Sequence, residues 1–121
     1  MEMTVLIVED FPDIRRMMKI VLTMYGYRVI EAADGYEALQ KAIEFQPDLI
    51  LMDLALPLLD GLKTTEYIRA EKDLFSVPIL AVTAYGDIYK DKALEAGCNA
   101  VISKPVDFKN LRTVVDHYLN N

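Results

Sequence analysis

Tryptophan is absent from this chain of 121 residues, and cysteine occurs once, at Cys98. A lone thiol cannot close an internal disulfide. With a single histidine, His117, there is no Cys/His set to hold zinc. The fold must therefore rest on a hydrophobic core alone. Long apolar runs are missing too: none approaches the ~18 residues that a membrane span requires. Cationic residues are outnumbered, 13 Lys and Arg against 19 Asp and Glu, for a net charge of −6. Nucleic acid and anionic membrane would both repel such a surface, so neither is a partner for the chain by itself. Only five glycines occur, and none makes a phosphate-cradling loop after the first apolar run. Glu9-Asp10-Phe11-Pro12 stands there instead, and its acids repel phosphate unless a cation intervenes. The same two acids fall inside the stretch that a secretion signal would occupy, so no such signal is expected and the expected location is cytoplasmic.

What is present is the balance of a folded protein, 53% hydrophobic and 26% charged, at a length that suits one domain over residues 1–121. Short apolar runs rich in β-branched residues predict strands at Thr4–Val8, Arg28–Ala32, Leu49–Met52, Pro78–Val82 and Ala100–Ser103. Val5–Val8, Leu49–Met52 and Ile79–Val82 are apolar without alternation, as expected of strands covered on both faces. Helical patterns fill the gaps. Ile14, Met18, Val21, Leu22 and Tyr25 mark the first, with Pro12 near its start and Gly26 past its end. Asp34 is placed to cap a second helix carrying Ala38, Leu39, Ala42 and Ile43, which stops before Pro47. A third runs from Asp60-Gly61 to about Lys72, and a fourth from about Asp87 to Ala96 before Gly97. Asp107 caps a fifth, with the stripe Phe108, Leu111, Val115, Tyr118 and Leu119. Strand and helix alternate five times, which predicts right-handed crossovers onto a parallel sheet.

In open parallel sheets, ligands bind beyond the carboxyl ends of the strands. The polar residues just past the strands are Glu9 and Asp10, Asp53, Thr83 and Lys104. Brought together, three carboxylates at ~4 Å repel by about 4 kcal/mol a pair at an effective dielectric of ~20. Either one acid takes up a proton or a divalent cation neutralises the set. Oxygen donors without His or Cys suit Mg²⁺ or Mn²⁺. A metal, the Lys104 amine and the Thr83 hydroxyl would together stabilise charge on a phosphoryl group, and Asp53 is the nucleophile able to accept it as an acyl phosphate.

These residues lie in motifs that form an ordered set. They are Val5-Leu6-Ile7-Val8-Glu9-Asp10, Leu49-Ile50-Leu51-Met52-Asp53-Leu54-Ala55-Leu56-Pro57 with Asp60-Gly61, Ala81-Val82-Thr83-Ala84, Gly97-Cys98 and Ser103-Lys104-Pro105. In this the chain resembles the CheY-like receiver domain of two-component response regulators, from Thr4 to Leu119. The resemblance implies a flavodoxin-like (βα)5 three-layer sandwich with strand order 2-1-3-4-5. It implies that Asp53 is phosphorylated by a sensor histidine kinase or a histidine phosphotransfer protein, and that the change switches partner binding. Asp10, Asp53 and the carbonyl of Ala55 would hold Mg²⁺, with Glu9 nearby acting through water. Lys104 would pair with the phosphoryl group, Thr83 would turn its hydroxyl toward it, and the N–H groups of Ala55 and Ala84 would complete its contacts. Such a protein is a phosphoacceptor that assists its own phosphorylation and dephosphorylation, not a turnover enzyme. The alternative from the same chemistry is an aspartyl-phosphate phosphatase of haloacid-dehalogenase type, which would carry a second Asp where this chain has Ala55.

Two positions depart from the family pattern. Val101 stands three residues before Lys104, where members usually carry an aromatic switch residue. Tyr85 lies where the family tunes water access to the acyl phosphate, and a bulky ring there predicts slow self-dephosphorylation. The apolar residues of the first helix span roughly 200° of the wheel, more than one buried face needs. Packing against both the sheet and a neighbouring helix is the expected reason. The alternative is a docking patch of Ile14 and Met17, which the family resemblance would extend to Pro105 and Val106. Cys98 is expected to be a small packing residue and His117 an ordinary surface histidine.

Overall fold

The computed structural model describes residues 2–119; Met1, Asn120 and Asn121, the extremes of the expected domain, lie outside the described residues. Five strands, β1 (Thr4–Val8), β2 (Arg28–Ala32), β3 (Leu49–Asp53), β4 (Ile79–Thr83) and β5 (Ala100–Ser103), form one parallel sheet in the order β2-β1-β3-β4-β5. The connecting helices are α1 (Pro12–Met24), α2 (Gly35–Phe45), α3 (Gly61–Ala70), α4 (Gly86–Ala96) and α5 (Phe108–Leu119), with a short 3-10 turn at Lys72–Leu74.

Period-two alternation in the strands divides the core into two halves. Leu6, Val8, Ile50, Met52, Ile79 and Ala81 point to one face, where Ala38 and Ala42 of α2, Ile68 of α3 and Ala93 of α4 cover them. Val5, Ile7, Leu49, Leu51, Leu80, Val82 and Ile102 point to the other, under Met18 and Leu22 of α1 and Leu111 and Val115 of α5. Each large side chain fully withdrawn from water contributes roughly 1.5–3 kcal/mol, and the central strands bury both faces. The expected three-layer architecture and strand order are therefore found.

Helix starts follow local chemistry. The Asp34 carboxylate accepts from the N–H of Glu37 at 2.8 Å, and Asp60 accepts from that of Lys63 at 2.9 Å. Asp107 Oδ1 accepts from Lys109 and Asn110 at 3.0 and 3.3 Å. β4 begins at Ile79 rather than Pro78 because proline has no N–H to give the ladder, although the Pro78 carbonyl still accepts from Ile50.

The wide apolar arc of α1 is not absorbed by two-sided packing. Met18 and Leu22 are buried, while Met17 and Ile20 are each 46% exposed and Met24 is 75% exposed. The helix lies at the margin of its layer and packs beside α5 on one side, and its outer flank faces away from both core halves. Ile43, expected inside, is likewise exposed, since the small side chains of Ala38 and Ala42 bring α2 close to the sheet and leave that flank outside. None of the described helices is long and apolar enough to cross a membrane.

Candidate functional site

Four crossovers deliver the polar residues to one rim. Parallel pairing puts Val8 beside Met52, Met52 beside Ala81, and Thr83 beside Ser103, so the residues that follow these strands emerge together. The rim loops are tied down by backbone bonds: Leu54 N–H to the Val82 carbonyl at 3.1 Å, Gly61 N–H to the Leu54 carbonyl at 3.2 Å, and Lys104 N–H to the Thr83 carbonyl at 2.8 Å. Gly61 is required for this closeness. A Cβ at that position would lie 2.3 Å from the Asp53 carbonyl oxygen and 2.7 Å from Leu54 Cα, both backbone atoms that cannot step aside.

Asp53 is buried at the end of β3, and its two carboxylate oxygens have separate partners. Oδ1 accepts from the Ala55 N–H at 3.0 Å, and Oδ2 accepts from Lys104 Nζ at 3.1 Å. Glu9 is 1% exposed; its Oε2 accepts from the Phe11 N–H at 3.1 Å. Its Oε1 lies 3.1 Å from Lys104 Nζ, yet it receives no hydrogen bond. Asp10 is exposed beside them, and one carboxylate oxygen from each of Glu9, Asp10 and Asp53 falls within 4.8 Å of the others. The Lys104–Pro105 peptide is cis.

The electrostatics follow from burial and crowding. Burial, chiefly, and then the neighbouring Asp53 push the Glu9 carboxyl up from 4.5 to about 7, against the Phe11 N–H bond and the nearby Lys104 charge. Burial disfavours the Lys104 ammonium, but the Asp53 bond and the two facing carboxylates of Asp53 and Glu9 outweigh that and hold it above the ordinary lysine value. One ammonium, paired with Glu9 and Asp53, stands in a cluster of three acids, and one buried carboxylate oxygen lacks a hydrogen bond. These residues fit a divalent cation of the hard, oxygen-seeking kind.

The structure therefore brings Glu9, Asp10, Asp53 and Lys104 into one cluster, with Ala55 in direct contact through its N–H. Thr83 sits on the same rim, buried, its hydroxyl accepting from the Tyr85 N–H at 3.1 Å. Ala84 is exposed next to Lys104, on a groove that also includes Ile14, Pro105, Val106 and Phe108. Met17 does not line that groove, although it is exposed on the same helix. Cys98 is buried with its Sγ 3.7 Å from the Thr65 hydroxyl, and His117 lies away from the acids, edge-on to Tyr118. Position 55, an alanine, offers no general acid for the phosphatase alternative.

One supporting residue escaped the sequence reading. Arg15 donates from Nη1 to the Glu9 carbonyl at 2.8 Å and from Nε to Glu31 at 3.3 Å, fixing the peptide between the two rim acids. Its i+6 distance from Glu9 carries no periodic signal. Glu31 also receives Lys19 at 3.2 Å, and no local pattern on β2 announces that cluster.

Comparison with known proteins agrees with this geometry. The family model described as the response regulator receiver domain matches residues 5–116. The polar-differentiation response regulator DivK of Brucella ovis is 36% identical, with 100% of this chain and 99% of that protein covered. Among solved structures, the receiver domain of sensor histidine kinase PA1611 from Pseudomonas aeruginosa, which has a magnesium ion in its active-site cleft, superposes with a TM-score of 0.93. It is 34% identical, with both chains fully covered. The chemotaxis response regulator CheY4 of Vibrio cholerae gives a TM-score of 0.93 at 29% identity, over 98% of this chain and 99% of that one. With its sheet order, its acidic rim and a family match across almost its whole length, the chain belongs to the response regulator receiver domains of two-component signalling.

Proposed function

We propose that Asp53 accepts a phosphoryl group from a phosphohistidine on a sensor histidine kinase or a histidine phosphotransfer protein, and that residues 1–121 act as one receiver unit. The observation that carries this is the Asp53 carboxylate itself, buried and held by the Ala55 N–H on one oxygen and Lys104 on the other, amid two further acids. An Asp53 oxygen attacks phosphorus, the N–P bond breaks, and its electron pair returns to the imidazole nitrogen. Hydrolysis of the acyl phosphate resets the site. Lys104 and the N–H groups of Ala55 and Ala84 hold the phosphoryl oxygens in line, and Thr83 turns its hydroxyl to them afterwards. Asp10, Asp53 and the Ala55 carbonyl would hold Mg²⁺, with Mn²⁺ as a substitute and Glu9 acting through water. The ion when bound supplies positive charge that offsets the crowded acids and the incoming phosphoryl oxygens.

In this reading the protein is a substrate that assists its own modification, not a turnover enzyme, and it works in the cytoplasm. The donor docks over α1 and the loop after β5. Ile14, Pro105 and Val106 line a groove of about 490 Å³ beside Lys104, and Met17 extends its apolar surface along α1. The test is intact mass after incubation with acetyl phosphate. A gain of one phosphoryl group that requires Mg²⁺ and disappears in Asp53→Asn is expected. No gain, together with no beryllofluoride binding, refutes the reading.

A further inference from the structure

The outer side of α2 and α3 carries a strip of large apolar residues that neither core half uses. Gly35, Leu39 and Ile43 form one row of α2, spaced by four. Gly35 sets that row beside α3, since a Cβ there would run into the Leu59 carbonyl oxygen and the Thr64 hydroxyl. Tyr36 stands just outside the row, and Tyr67, three residues past Thr64, lies on the facing flank of α3. Leu58 marks the rim end of the strip. Phe75 marks the other end, after the 3-10 turn that packs against α2. Tyr36, Ile43, Leu58, Tyr67 and Phe75 are all 44% to 80% exposed. Leu58 is the most exposed, and its backbone φ of 67° lies in the left-handed region that disfavours any residue with a Cβ. It belongs to neither core half, so packing within one copy does not account for a leucine there.

We propose that this strip joins two copies of the chain about a twofold axis near Tyr67, with α3 antiparallel to its counterpart. The order of residues along the strip is self-complementary, as an isologous contact requires. Leu58 precedes Tyr67 by nine positions and Phe75 follows it by eight, while Tyr36 and Ile43 stand on either side of the middle of α2. The twofold lays Leu58 of one copy on Phe75 of the other and Tyr36 on Ile43, and the two Tyr67 rings meet at the axis. Charge follows the same symmetry: Lys63, before Tyr67, comes opposite the exposed Asp73 beyond it in the other copy. Within one copy Lys63 pairs with Glu66 at 3.4 Å, so those two charges on α3 balance although the chain carries −6. The five side chains present about 600 Å² per copy, and pairing covers about 1,200 Å², the low end for a specific interface. A reversible dimer rather than a permanent one follows. The inference does not depend on the Asp53 reading.

Sedimentation velocity of the full chain from about 1 to about 500 µM tests this. A monomer–dimer equilibrium with a Kd of about 10–100 µM is expected. Leu58→Asn suits the left-handed turn and should raise that Kd at least about tenfold without lowering the urea midpoint of the monomer. Tyr67→Glu should weaken the dimer by as much, because two like charges then meet at the axis. Lys63→Glu should weaken it as well, and adding Asp73→Lys to that variant should restore it. Met24→Gln, on the exposed flank of α1, should leave the equilibrium unchanged. Sedimentation as a monomer at every concentration overturns the proposal. A dimer that is unchanged in Leu58→Asn or in Tyr67→Glu, or that is lost in Met24→Gln, uses another face and overturns it too. A charge exchange that fails to restore the dimer overturns the antiparallel arrangement.

Discussion

Replacing Glu9 by Gln should make the metal-free protein more stable at neutral pH, although the substitution deletes a charge partner of Lys104. Glu9 is almost wholly withdrawn from water, and its carboxyl is raised from 4.5 to about 7. That rise corresponds to about 3 kcal/mol between the two protonation states. Because the native state holds this proton more tightly than the unfolded chain, the group costs nothing below the unfolded value. Its penalty grows as pH climbs from 4.5 to about 7 and is complete above that. Between pH 5.5 and 8 the loss from this one residue amounts to about 2 kcal/mol. Urea denaturation followed by circular dichroism, with a chelator present, reads it directly. The unaltered protein should lose stability across that interval, and Glu9→Gln should be nearly flat. Adding Mg²⁺ should stabilise the unaltered protein more at pH 8 than at pH 5.5, because a cation favours the ionised carboxylate. An equal pH slope in the two proteins would show that Lys104 already compensates the Glu9 charge, and would refute the reasoning.

Gly61→Ala should destabilise the protein by about 1–3 kcal/mol and slow phosphoryl uptake, because the added methyl drives α3 away from the Asp53 backbone; denaturation midpoints and intact mass check both parts. Arg69→Ala should cost about 3 kcal/mol in the same denaturation assay. The guanidinium donates to the Gly97 carbonyl, the Leu74 carbonyl and Asn99 Oδ1 at 2.9, 3.1 and 2.9 Å, joining three loops; a loss below about 1 kcal/mol would contradict that account. Tyr85→Ala should hasten decay of the phosphorylated form, and decay of the unaltered protein within seconds would sink the idea that this ring shields the acyl phosphate.

The strands were legible because each central one is a continuous apolar run, and the rim acids because each directly follows such a run. The helix caps Asp34, Asp60 and Asp107 could likewise be read from one residue and its neighbours. What escaped was whatever depends on distant partners. Arg69 reaches residues up to 30 positions away, and Asn99 both receives it and accepts from the Ile79 N–H. Thr64 and Thr65 look like surface residues in sequence, yet both are buried. Their hydroxyls return to the Asp60 and Gly61 carbonyls at 2.7 and 2.8 Å, which removes the cost of hiding them. The outer flank of α1 was misjudged for a related reason: apolar composition shows what a helix can bury, while the number of neighbours decides what it does bury.

That outer flank has a consequence for how such a protein can diversify. Met17, Ile20 and Met24 sit outside both core halves and contribute little to holding the fold, so exchanging them costs little stability. The rim acids and Lys104 lie at strand ends, on other residues altogether. Under the docking proposed above, the α1 part of the address and the chemistry of the rim fall on separate residues of the same chain. One can be rewritten for a new partner while the other is kept.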